Sequence, residues 1–82
     1  MKLIKEIIEN QNPTIEDLIN CFEKIKQNGE VAVIKFDGER ESDEYTVFVS
    51  FPKGEREMIR ADESDLKVAL LKVLTMYVIE SR

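Results

Sequence analysis

Leu3, Ile4, Ile7 and Ile8 recur at i, i+1, i+4 and i+5, with Lys2, Lys5, Glu6 and Glu9 on the other side. That spacing predicts a short helix over residues 1–10. Asn10-Gln11-Asn12-Pro13 ends it, because the residue before a proline is pushed out of the αR region. Ile15, Leu18, Ile19, Phe22 and Ile25 then mark one face of a second helix. Thr14 with Asp17 three residues on resembles a capping box with Asp in the place of Glu. Pro13 at the first helical position with Asn12 as the cap fits as well. Asn28-Gly29 closes the helix, glycine being the residue that adopts αL at no steric cost.

The period then changes to two. Val31-Ala32-Val33-Ile34-Lys35-Phe36 is β-branched and apolar and predicts a strand with Ala32, Ile34 and Phe36 on one face and Val31 and Val33 on the other. Tyr45, Val47, Val49 and Phe51 alternate with Thr46, Phe48 and Ser50 in a second strand, so Asp37 to Glu44 is the loop of a hairpin. Pro52-Lys53-Gly54-Glu55 has turn chemistry. Arg56 to Arg60 is expected to form a short, charged edge strand in which Met58 and Ile59 are the apolar residues.

A last helix is expected from about Glu63 to Glu80, capped by Asp62, with Glu63 and Asp65 complementing the macrodipole. Leu66, Ala69, Leu70, Val73, Leu74 and Tyr77 form one broad stripe to cover the sheet. Leu71 and Val78 lie outside that stripe, and Val68 and Ile79 further round. A helix apolar nearly all round is buried on more than one side. Three covers compete for the second stripe, Val68, Leu71, Thr75 and Val78: the first helix folded back, a second copy in a homodimer, or a foreign protein. The fold class is α+β: one domain over residues 1–82, ordered α-α-β-β-β-α. Its sheet is three-stranded and antiparallel, with the C-terminal helix on one face.

Charge narrows the partners. Twelve Lys and Arg face seventeen Asp and Glu, net −5. Residues 1–29 carry net −1, residues 30–61 net −3 and residues 62–82 net −1, so the excess lies in the middle. Direct nucleic-acid binding and anionic membranes are disfavoured, and no apolar run approaches the ~20 residues of a membrane span. The N-terminal segment has no secretory pattern. A lone Cys21 suits a reducing, cytoplasmic setting, and it reads as a half-buried structural thiol.

The run Asp37-Gly38-Glu39-Arg40-Glu41-Ser42-Asp43-Glu44 is the most distinctive feature. Its alternating acids invite a calcium loop, but the sixth and twelfth positions hold Ser42 and Phe48 where an EF-hand needs Gly and Glu. No metal or other cofactor is expected. The electrostatic reading makes Asp37, Glu39, Glu41, Asp43 and Glu44 a negative tip that meets a basic protein surface. Glu55, Glu57, Asp62 and Glu63 extend it if they fold nearby. The plain alternative is a solvated turn whose charge prevents aggregation. Chemistry is thin: without histidine, Ser42, Ser50, Ser64 and Ser81 lack the usual activating base, and an enzyme is not expected. Lys53, Arg56 and Arg60 alternate with acids and read as cross-strand charge pairs.

The order helix, strand, strand, strand, helix over residues 14–80 resembles that of double-stranded RNA-binding domains. Those domains place lysines at the start of the last helix, where this chain has Asp62, Glu63 and Asp65. Size and acidity are similar to small phage-encoded inhibitors, anti-CRISPR proteins among them, and to immunity proteins of bacterial toxins, with no accompanying motif. The function expected from these features is non-catalytic binding to a basic groove of a nucleic-acid-handling protein, with a homodimeric assembly module as the alternative.

Overall fold

A computed structural model describes residues 2–80. Its elements are α1 (Lys2–Glu9), α2 (Ile15–Gln27), β1 (Val31–Phe36), β2 (Tyr45–Ser50), β3 (Ile59–Glu63) and α3 (Leu66–Glu80). The architecture is α+β, with β2 central and both neighbours antiparallel to it.

Local signals account for α2. Thr14 Oγ1 accepts from the Asp17 N–H at 3.0 Å while Asp17 Oδ2 accepts from the Thr14 N–H at 3.1 Å, a reciprocal capping box. At the other end Gly29 takes φ +88°, a conformation that costs glycine nothing.

Register places Ala32 opposite Val49 and Ile34 opposite Val47, which in turn faces Ala61; Val49 also faces Ile59. These residues form the inner sheet face. α2 packs on β1, and α3 crosses β2 and β3. α1 lies on α2 and α3 rather than on the sheet, with Ile4 fully buried and Ile7 and Ile8 half-buried against the core. The layers are therefore sheet, α2 with α3, then α1. Leu18, Ile25, Val47, Val49, Leu70, Val73 and Leu74 are completely enclosed. At about 25 cal/mol per Å² of apolar area, such side chains each contribute roughly 1.5–3 kcal/mol.

Three expectations are corrected. The third strand is Ile59–Glu63, not Arg56 to Arg60. Arg56 is held back in the turn because its guanidinium sits over Phe51 and Tyr77. α3 starts at Leu66 and its cap is Asp65, whose Oδ1 accepts from the Val68 N–H at 3.1 Å. Asp62 is instead a strand residue, taken up by Thr46, Arg40 and Arg60. Cys21 is fully buried, not half-buried. Burial, then the nearby Asp17, push its thiol pKa up, so a reactive thiolate is disfavoured.

Candidate functional site: the acidic hairpin tip

The loop 37–44 joins β1 to β2, and its acids do not all face solvent alike. The Asp37 N–H donates to the Glu44 carbonyl at 2.8 Å, closing the loop at its base. Asp37 Oδ1 accepts from the Glu39 N–H at 3.0 Å, and Oδ2 lies 3.6 Å from both Lys35 and Arg40. That backbone hydrogen bond above all, then the two cations, holds the Asp37 carboxyl below its ordinary pKa.

Arg40 is the strut. Its guanidinium donates to the Asp43 carbonyl at 2.9 Å and to Asp62 Oδ1, on β3, at 3.2 Å. Asp43 takes φ +53°, a left-handed conformation that Asp tolerates better than most residues. Its N–H donates to Ser64 Oγ at 2.9 Å, tying the tip to the segment before α3. Asp62 also accepts from the Thr46 hydroxyl and, through both oxygens, from Arg60 at 3.0 and 3.2 Å. The bidentate Arg60 contact leads the effects that hold Asp62 far below the usual carboxylate range.

The five predicted tip residues thus divide. Asp37 and Asp43 brace the loop. Glu39 and Glu41 are exposed, and among the described residues neither side chain has an ion-pair partner. Glu44 is half-buried, and its Oε1 is enclosed without a hydrogen-bond partner among the described residues.

β3 brings further charge to this end. Glu63 lies opposite Tyr45 and accepts from Lys72, and Ser64 and Asp65 follow it. Eight acids (37, 39, 41, 43, 44, 62, 63 and 65) stand against the four cations that pair with them (35, 40, 60 and 72), so this group of residues carries net −4. The expected extension through Asp62 and Glu63 is present. Glu55 and Glu57 are in the β2–β3 turn, at the opposite end of the sheet.

The stripe on α3 is split as well. Val68 and Thr75 are exposed, whereas Leu71 and Val78 are half-buried against the core. Val68, Leu71, Lys72, Thr75 and Met76 line a shallow groove of about 400 Å³ on its outer side.

The sequence did not reveal Arg40 as a strut between Asp43 and Asp62, nor Ser64 as the partner of Asp43 and Thr46 as a partner of Asp62. A lone arginine inside an acidic run was the available signal. Among the described residues no group of three or more acidic, cysteine or histidine side chains is placed to hold a metal ion, and no helix is long and apolar enough to cross a membrane. No family model, curated protein or solved structure matches the chain.

Proposed function

We propose that the protein is a non-catalytic, cytoplasmic binding module of inhibitor or immunity type. Its acidic hairpin end occupies a basic, phosphate-binding groove on a nucleic-acid-handling protein. The observation that carries this reading is the net −4 charge of these acids and their paired cations, around a loop whose backbone is tied down at three points. A negative surface of this kind steers encounter with a basic partner and raises the association rate. Bracing by Arg40 and Ser64 lowers the ordering cost that a mobile acidic loop would meet on binding. Glu39 and Glu41 are then the residues that reach the partner, and Asp37, Asp43 and Asp62 are the residues that hold them in place.

The test is capture from nuclease-treated host lysate by the wild-type protein and by the Glu39→Lys, Glu41→Lys double variant. A stoichiometric basic partner that binds the wild type, elutes with moderate salt and is lost from the variant is the expected result. A partner retained equally by both proteins removes the reading. The exposure of both glutamates predicts that the variant keeps its circular dichroism and melting temperature.

A further inference from the structure

The two edges of the sheet are protected differently. β3 carries Arg60, Asp62 and Glu63 and lies under α3. β1 has Lys35 as its one charged residue, β2 as its one neighbour, and two exposed apolar side chains, Val31 and Phe36. Phe36 is 68% exposed, the most of any large apolar residue among those described. An open edge of this composition is a template for another strand.

Beside it lies a groove of about 340 Å³ between α2 and β1, lined by Ile19, Phe22, Lys26, Val31 and Ala32 among others. It opens over Ala32, the smallest side chain of the strand, and Ala32 shares the inner face with Phe36 four residues on.

We infer that β1 pairs with β1 of a second copy of this chain, antiparallel about Ile34. The strand's own pattern selects the copy and the register. Antiparallel partners share a face, so a two-fold axis must pass through a residue rather than between two. Centred on Ile34, the pairing sets each Phe36 opposite the other copy's Ala32, where the ring enters the groove against Ile19 and Phe22. Centred on Val33, it would set Phe36 opposite Glu30, whose carboxylate lines the same groove and accepts from the Tyr77 hydroxyl, so the ring would meet a charged group instead of the apolar floor over Ala32. The Ile34 register is self-complementary, with two exposed rings matched to two grooves, as a two-fold interface requires. On the outer face Val33 meets Lys35 and Val31 meets Asp37, so no like charges are opposed along the strand.

Each seated ring removes about 150–250 Å² of surface from water. With the paired edges and Val31 the interface falls near the lower limit of specific ones, roughly 1,200 Å², which makes the dimer concentration-dependent. The two copies join through a six-stranded sheet whose pairing ends at Asp37, leaving Glu39 and Glu41 of each tip outside the paired strands. This inference stands independently of the tip's proposed partner, and salt separates the two. Two copies of net charge −5 repel, so added salt strengthens the dimer, whereas it weakens an acidic tip on a basic surface.

Sedimentation from about 1 µM to about 1 mM tests it. The wild type should move from monomer to dimer mass. Phe36→Asp should need at least about tenfold higher concentration to do so, and Val31→Asp, which would face Asp37 of the second copy, should weaken the dimer as a second, independent variant. Ile79→Asp, on the exposed side of α3, should dimerise like the wild type. Monomer mass throughout overturns the inference, as does a dimer that survives both β1 variants. A dimer abolished by Ile79→Asp but not by Phe36→Asp overturns it too and moves the seam to α3.

Discussion

Arg40 and Arg56 stand at opposite ends of one sheet, and each ties a hairpin turn to a distant part of the chain. Arg40 works among acids and half in water, with its bonds going to a loop carbonyl and to Asp62. Arg56 works among rings. Its guanidinium lies 4.6 Å from the Phe51 centroid and 5.4 Å from that of Tyr77, and the rings are stacked 6.1 Å apart. It also donates to the Tyr77 and Met76 carbonyls at 3.2 and 3.3 Å, at the negative end of the α3 dipole. One arginine shapes a charged surface and the other closes the core, so their loss should be felt in different measurements.

Arg56→Ala breaks the comparison most severely. Two charge-assisted bonds and a cation over two rings are worth about 2–3 kcal/mol together. In a domain of this size that lowers the melting temperature by roughly 10–15 °C. Calorimetry should show this, and binding through the tip should survive wherever the variant remains folded.

Tyr77→Phe comes next. The hydroxyl donates to Glu30 and accepts from Asn28 at 3.1 Å, and removing it should cost about 1 kcal/mol. Burial first, then the bond to Glu30, raise the Tyr77 pKa. A raised folded value means stability is complete below the unfolded tyrosine pKa of about 10 and lost as the pH rises above it. Alkaline denaturation of Tyr77→Phe should therefore lack that component.

Arg40→Gln should cost less than about 1 kcal/mol, because the ion pairs it makes are exposed to solvent. Its signature is local: amide exchange in residues 38–43 should speed up while the core amides stay protected.

The smallest effect is acid sensitivity. The folded pKa values of Asp37 and Asp62 are lowered. Their contribution is present above the unfolded value near 4 and fades as the pH falls below it. Asp62→Asn should flatten stability between about pH 4 and pH 2, and carbon-detected NMR should find Asp62 among the last carboxylates to protonate.

Much of the fold was legible because its determinants are local. Thr14 and Asp17 cap α2 within one turn, and the alternation of Tyr45 to Phe51 predicts which face of β2 is buried. Ambiguity began where a residue had a better partner far along the chain. Asp62 reads as a helix cap because acids follow it and apolar residues begin at Leu66, yet Thr46 and Arg40 claim it across the sheet. Arg56 reads as a member of an alternating charged strand, but Phe51 and Tyr77 hold it in the turn.

For the candidate site, the position and sign of the tip follow from composition. Its division into bracing acids and projecting ones does not, because the bracing bond from Asp43 to Ser64 spans 21 residues and that from Arg40 to Asp62 spans 22. The groove over Ala32 was equally invisible, since it depends on how far α2 stands from the β1 edge.

The most direct measurement is the association rate of the captured partner with the wild type and with the Glu39→Lys, Glu41→Lys variant, at about 50 mM and about 300 mM salt. The account predicts a wild-type rate that falls about tenfold with salt, and a variant that is already slow at low salt and insensitive to it. Equal rates for the two proteins at low salt would contradict it.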